Sequence, residues 1–594
     1  MLSTLVVGVA PVASAWLLKL IIDEIGSDGA YLPELLPLLL SLVAAAVISA
    51  VVPQVILYSG KEMNRKVRLE VNDQLFGSVS KFVGLGRLED PAFHNKLSIA
   101  QRSGRESPGQ IVLGLLGAFQ GAITLSGFSI TLITLSPVLA GIIAAAALPT
   151  LVAEFKLSRR RANLAWSIGP AERRELFYAN VLRDLQAAKE IRIFDLGGFF
   201  KGRMLTELRQ INKVNASLDL KVLRTQGGLA LATALANGAG IAWAATAAID
   251  GRITIGDIAM LSAAMVGAQG SIRSMVQSTA RIHEALLVLD HYFEIIRMPS
   301  DLPVRDSPTS VPVLMHGIEF RDVWFRYGSD QPWILRGVDL FIPRGESVAL
   351  VGHNGAGKST LIKLLCRFYD PVRGQILWDG VDIREFDPEV FRAKIGAVFQ
   401  DYMCYDLSAA ENIALGDLAA LGREDRLTAA ARLAGVHEHL EQLSNGYHTL
   451  LSRIYLADDQ EQSTGVYLSG GQWQRLALAR SFVRDKAELL ILDEPSSGLD
   501  AEAEDEIHRA LREYRGTQTS LLISHRLGAL RGAHCTAVLA DGRVAEVGTH
   551  DELVEREGMY ARLFAIQSRG YQKDVEPTVG DHEPSGTSNA IDMV

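Results

Sequence analysis

At 594 residues the chain is too long for a single hydrophobic core, and at least two domains are expected. With 48% hydrophobic and only 21% charged residues it is more apolar than an ordinary soluble enzyme. Its net charge of −9 lacks the basic surface that phosphate neutralisation needs, so no nucleic-acid partner is expected.

The apolar residues are unevenly spread, since Met1 to about Ala280 holds long apolar runs and the part after Met298 has the balance of an α/β domain. The first run, Met1 to Ile22, lacks the basic start and small-residue cleavage site of a signal peptide, and reads as a membrane helix retained in the mature chain. It begins without the polar leader that usually precedes a first span, which leaves a truncated N-terminus open. A spanning helix needs about 20 mostly apolar residues. Stretches near that length are Leu2–Ile22, Leu35–Tyr58, Ile111–Leu135, Val138–Phe155, Gly228–Ile249 and Ile255–Val276. The last is the most polar. Gly and Ala recur in the fifth and sixth, where small residues let helices approach closely in lipid.

Charge in the connections sets the orientation. Lys61, Arg65, Lys66, Arg68, Lys81 and Arg87 follow the second span, and Lys156, Arg159, Arg160, Arg161, Arg173 and Arg174 follow the fourth. The only positive residue in the short turns Asp23–Glu34, Ser136–Pro137 and Asp250–Thr254 is Arg252. Positive residues stay on the cytoplasmic side, so both termini and both long loops are expected inside. Those loops, Lys61–Gln110 and Lys156–Thr225, show helical apolar spacing, as in Val67, Val71, Leu75, Val79 and Phe82. Two readings fit: amphipathic helices lying on the bilayer, or spanning helices that continue far into the cytosol and turn back. The second is favoured, because a cytosolic domain formed by the rest of the chain would need a mechanical contact with the membrane part. The spans hold few ionisable groups, and Lys19, Glu154 and Arg273 lie near predicted ends, where snorkelling is expected.

Residues 1–296 are thus expected to form an all-α six-helix transmembrane domain. A Pro- and Ser-rich linker, residues 297–313, leads to an α/β P-loop ATPase domain over 314–570 and a disordered polar tail over 571–594. After a β-rich start at Ile318–Tyr327, the strand Ser347–Val351 runs into GHNGAGKS and a helix beginning at Thr360. This is a complete GxxxxGK[ST] match in strand–loop–helix context. Gly352, His353, Asn354, Gly355, Ala356, Gly357 and Thr360 are expected to present backbone N–H groups and a helix N-terminus to the phosphates of ATP. Lys358 supplies a point charge to the β- and γ-phosphates, and the Ser359 hydroxyl is offered to Mg2+. The apolar strand of Leu489–Pro495 ends in Asp493, which would hold the magnesium, and Glu494, which would polarise the attacking water. The cysteines Cys366, Cys404 and Cys535 have no paired or metal-ligand spacing and read as reduced cytosolic thiols.

Leu468-Ser469-Gly470-Gly471-Gln472, ahead of Asp493, resembles the signature of ATP-binding cassette (ABC) proteins, and the resemblance extends across almost the whole chain. It implies that Tyr327 stacks on adenine and that Gln400, after the strand Ile395–Phe399, touches magnesium. It further implies that Asp500 in SSGLD couples the sites of a dimer and that His525 contacts the γ-phosphate. In the family the signature of one ATPase domain closes over nucleotide held by another. One phosphate loop and one signature therefore imply a second copy, a homodimer in preference to a paralogous half-transporter.

Six spans ahead of one cassette look like the half-transporter exporters of a bacterial inner membrane, with the ATPase domain cytosolic. That resemblance implies alternating access powered by ATP, with coupling helices near Pro91–Gln101 and Ala188–Phe200. AKEIRIFDLGGFF (Ala188–Phe200), FQDYMCYDLSAAENIALGD (Phe399–Asp417) and LSGGQWQRLALARSFVRD (Leu468–Asp485) are similar to exporters of lantibiotics and other natural products, so a peptide or other amphipathic cargo is expected. Tyr455–Tyr467 departs from the TxVGExG pattern of many multidrug exporters, which puts the usual cross-talk between cassettes and coupling helices in doubt. A lipid flippase, an importer on the same scaffold and an ATP-gated channel are the alternatives.

Overall fold

The computed structural model describes residues 2–26, 32–135, 137–184, 187–452, 465–495, 509 and 518–571. The chain divides into two compact units, the first made of Met1–Lys81 and Pro91–Pro299, the second of Phe82–Asp90 and Ser300–Val594.

The first unit is helical: α1 (Leu2–Ile25), α2 (Leu32–Val79), α3 (Pro91–Leu135) and α4 (Pro137–Arg183), then the short α5 (Ala187–Ile193), α6 (Gly197–Ile249) and α7 (Ile255–Ile296). Of these, α1, α2, α3, α6 and α7 are, among the described residues, long and apolar enough to cross a membrane. The fourth apolar stretch, Val138–Phe155, lies within α4. The basic loops are not separate amphipathic helices. Each of α2, α3, α4 and α6 runs unbroken far past its apolar stretch, the 48 residues of α2 among them. The α6–α7 turn is set locally: Gly251 takes φ +72° and Thr254 caps α7, its hydroxyl accepting from the N–H of Asp257 while the Asp257 carboxylate accepts from that of Thr254.

Packing between α3 and α7 depends on small residues. At Gly267 a Cβ would come within 2.1 Å of the Phe128 ring, so only hydrogen lets the two helices meet there. Phe128 and Leu132 of α3, Leu261, Ala264, Met265 and Ala268 of α7, and Ala15 of α1 form the buried cluster around this contact. Lys19, near the end of α1, has its Nζ 2.5 Å from Asp257 Oδ1 in a mostly buried pair.

The second unit contains the strands β1 (Gly317–Phe325), β2 (Leu335–Pro343), β3 (Ser347–Val351), β4 (Arg373–Trp378) and β5 (Val381–Asp382). They are followed by β6 (Ile395–Val398), β7 (Leu489–Asp493), β8 (Thr519–Ile523), β9 (Cys535–Ala540) and β10 (Arg543–Gly548). An antiparallel sheet has the order β2-β1-β4-β5, and a second sheet the order β10-β9-β3-β8-β7-β6. In the second sheet β9, β3, β8, β7 and β6 are parallel and β10 is an antiparallel edge. Every residue of β3, β7 and β8 is buried, as expected of parallel strands covered on both faces, which explains their unbroken apolar runs. The helix after the phosphate loop, α8 (Lys358–Leu365), begins two residues before the position read from the sequence.

The connection between α2 and α3 belongs to this second unit. Val83 and Gly84 donate backbone N–H bonds to Asp301 Oδ1 at 2.8 and 3.0 Å, Leu85 N–H donates to Phe368 O, and Arg392 Nη2 donates to Val83 O at 2.6 Å. Glu89 accepts from Lys363 Nζ at 2.7 Å and from the Tyr369 hydroxyl at 2.6 Å. The segment that joins the ATPase unit is therefore Phe82–Asp90. Pro91–Gln101, expected to hold a coupling helix, forms the first turns of α3 in the other unit. Ala188–Phe200 holds α5 and the start of α6 around Asp195, at φ +50°.

Candidate nucleotide site

The register of the parallel sheet brings the predicted residues together. Leu350 of β3 pairs with Ile523 of β8, Asp493 of β7 with the same Ile523, and Val398 of β6 with Leu492 of β7. The carboxyl ends of four adjacent strands are thereby level, the usual place for a ligand on an open parallel sheet. The phosphate loop follows β3, His525 follows β8, Asp493 and Glu494 end β7, and Gln400 follows β6. They border a cavity of roughly 570 Å³ lined by Asn354, Gly355, Gly357, Lys358, Ser359, Thr360, Gln400, Asp493, Glu494 and His525.

Gly357 caps α8 with φ +106°, a conformation that L side chains avoid, and a Cβ there would meet Leu335 at 2.7 Å. No side chain caps this helix, which leaves its first N–H groups available to an anion. Lys358 is 8% exposed, and its ammonium donates to the carbonyls of Gly352 at 2.8 Å and His353 at 3.1 Å. Burial lowers its pKa, against the opposing pull of Glu494 and Asp493.

Asp493 is 6% exposed, and its pKa rises to about 6. Burial is the main cause and repulsion from Glu494 the next, opposed by a hydrogen bond from the Ser359 hydroxyl and by Lys358. Glu494 adopts φ +53°, a strained turn for a residue with a Cβ. Four contacts hold it there: its N–H donates to Ile523 O at 2.9 Å, its carbonyl accepts from Gln474 Nε2 at 3.2 Å, and each carboxylate oxygen has a partner. His525 Nε2 lies 2.7 Å from Oε1, and Gln400 Nε2 donates to Oε2 at 3.0 Å.

Other predicted residues lie apart. Gly352, His353 and Ala356 form the loop's backbone but do not line the cavity. Tyr327 does not line it either: its ring meets Phe325 and Tyr369 edge-on at 5.0 and 5.2 Å, its hydroxyl is 3.3 Å from Thr360 Oγ1, and Lys363 Nζ sits 5.5 Å from the ring. Ser469–Gln472 are also outside the cavity. Ser469 caps the helix Gly470–Phe482 in a reciprocal box with Gln472, and the Tyr402 hydroxyl donates to Gly470 O at 3.1 Å. Asp500, most of Tyr455–Tyr467, and the tail after Tyr571 lie outside the described residues. Sequence reasoning missed Ile334, which lines the cavity, and Gln474, which holds the backbone of Glu494. Gln474 stands two residues after the signature, a proximity that could have drawn attention to it.

The ABC transporter family profile matches residues 335–497. The chain is 35% identical over 423 residues to the ATP-dependent lipid A-core flippase of Alkalilimnicola ehrlichii, covering 70% of this chain and 67% of that protein. It is 38% identical over 332 residues to the protein of the same name from Chromohalobacter salexigens, covering 55% of this chain and 54% of that one. It spans about half the length of several curated relatives it matches. A solved bacterial Atm1-family ABC exporter with ATP bound superposes with a TM-score of 0.80 at 24% identity, covering 96% of this chain and 97% of that one, and so shares its fold. This chain belongs to the ABC transporter family: a helical membrane domain followed by an α/β ABC ATPase domain. It is a multi-span membrane protein with a cytosolic ABC domain, as in bacterial inner-membrane exporters.

Proposed function

We propose that the chain is an ATP-driven exporter that hydrolyses ATP at a site completed by a second copy of itself. The observation that carries this reading is the Glu494 carboxylate, held between His525 and Gln400 in the cavity that Lys358 also lines. Lys358 and the N–H groups of α8 bind the phosphates, Glu494 accepts the proton of the attacking water, and His525 holds that carboxylate in line. Ser469–Gln472 begin a helix outside the same chain's cavity, which supports their delivery to the nucleotide by a partner copy.

The Ser359 hydroxyl, the Asp493 carboxylate and the Gln400 amide oxygen are hard oxygen donors that line the same cavity. That donor set fits magnesium, which when bound neutralises charge on the β- and γ-phosphates.

We infer an amphipathic, lipid-like cargo in preference to a peptide. Relatives named as lipid A-core flippases support the lipid reading. A cavity of roughly 670 Å³ between α1, α3 and α7 supports amphipathy, since Gln120, Thr124, Ser262 and Ser274 share its lining with Phe128 and Val266. The test is ATP-dependent accumulation of a fluorescent phospholipid in inside-out vesicles, with Glu494→Gln as the comparison. Transport should be lost in the variant while ATP still binds; equal transport by the two would overturn the mechanism.

A further inference from the structure

A second cavity in the helical unit, of roughly 600 Å³, lies between α4 and α6. Lys156 and Arg160, one helical turn apart on α4, face Lys221 on α6 across it. Among the described residues no carboxylate lines it. Along α4 the lining begins with Pro149, Val152 and Ala153 and continues with Lys156 and Arg160 on either side of the buried Leu157.

The position of these residues is informative. Lys156 directly follows the apolar stretch Val138–Phe155, and Lys221 shortly precedes the apolar stretch Gly228–Ile249. Both helices therefore put their cations at the cytosolic end of a membrane-embedded segment, where lipid headgroups lie. A cavity with an apolar wall on the membrane side and a cationic wall on the water side matches an amphiphile whose headgroup is anionic and whose chains run along α4. A basic pocket between transmembrane helices on the cytosolic face is the form that phosphate-headgroup recognition takes.

We propose that this cavity binds the phosphate headgroup of an anionic lipid drawn from the cytosolic leaflet. That the lipid is cargo or a step toward cargo rests on the export reading; the binding itself does not. A free phosphate offers the same charge but leaves the apolar wall uncovered, so the lipid is the assigned occupant.

The test uses the full chain in detergent micelles without nucleotide, titrated with a fluorescent phosphatidic acid. Unlabelled phosphatidic acid, phosphatidylcholine and inorganic phosphate serve as competitors. Only the unlabelled phosphatidic acid should displace the probe. Arg160→Gln or Lys221→Gln should weaken binding about fivefold each, and the double variant roughly twenty-five-fold. Lys213→Gln, an exposed cation on α6 outside the cavity, should leave affinity unchanged, and ATP affinity should be unaltered throughout. Displacement by inorganic phosphate would overturn the lipid assignment in favour of a free anion. Equal losses from Lys213→Gln would reduce the effect to general surface charge, and full affinity in the double variant would remove the site. Because no ATP is present, failure here is separate from failure of Glu494→Gln to stop transport.

Discussion

Asp493 is costly to the empty protein, and replacing it should show this. Its pKa rises from the ordinary 3.8 to about 6 through burial and the neighbouring Glu494. A shift of roughly two units corresponds to a ceiling of about 3 kcal/mol between folded and unfolded chain. Because the folded-state pKa is the higher one, the folded protein holds more protons between the two values. Stability therefore falls as pH rises through that window, and the full penalty applies above its upper end. Asp493→Asn keeps an oxygen to accept from Ser359 but carries no charge, so it should be the more stable protein at neutral pH. Amide hydrogen exchange at Leu489–Leu492, measured without nucleotide and with a chelator present, reads this locally in β7. At neutral pH exchange should slow roughly ten- to a hundred-fold relative to the parent, and the gap should close as pH approaches 4. Equal protection at neutral pH, or a gap that persists in acid, would refute the assignment of strain to this carboxylate.

Two further outcomes follow from the same unit. Gly357→Ala forces a methyl to within 2.7 Å of Leu335 at φ +106°, so it should cost about 1–3 kcal/mol and reduce nucleotide affinity in a fluorescent-ATP titration. Glu89→Gln removes an ion pair with Lys363 that is partly exposed, 44% on the glutamate side, and weakens the bond from Tyr369. Burial raises the Glu89 pKa, but the hydrogen bonds from Lys363 and Tyr369 outweigh it and hold the carboxyl below its usual value, so the charge is present at neutral pH. The loss should be no more than about 1 kcal/mol of stability, with basal ATPase retained and the transport per ATP reduced; an unchanged ratio would remove Phe82–Asp90 from the coupling path.

The nucleotide pocket was legible because its chemistry is written in contiguous residues. GHNGAGKS combines glycine freedom, a lysine and a hydroxyl in one loop, and the runs of β3 and β7 mark buried parallel strands on their own. What gathers Gln400, Glu494 and His525 is the strand order β3-β8-β7-β6, in which neighbours are far apart in sequence. No local pattern carries that order; the family resemblance pointed to Gln400 and His525 without it. The attachment of Phe82–Asp90 to the ATPase unit was not read from the sequence for a different reason. Most of its bonds there are backbone N–H bonds to Asp301 and a backbone carbonyl offered to Arg392, and these leave no trace in side-chain periodicity. Ile334 was passed over because an isoleucine before a strand reads as core, whereas here it forms part of the cavity wall.

Both oxygens of Glu494 are engaged, one with His525 and the other with Gln400. In the proposed reaction the attacking water shares this carboxylate with two donors already in place, which fix the direction of the side chain while leaving each oxygen part of its accepting capacity.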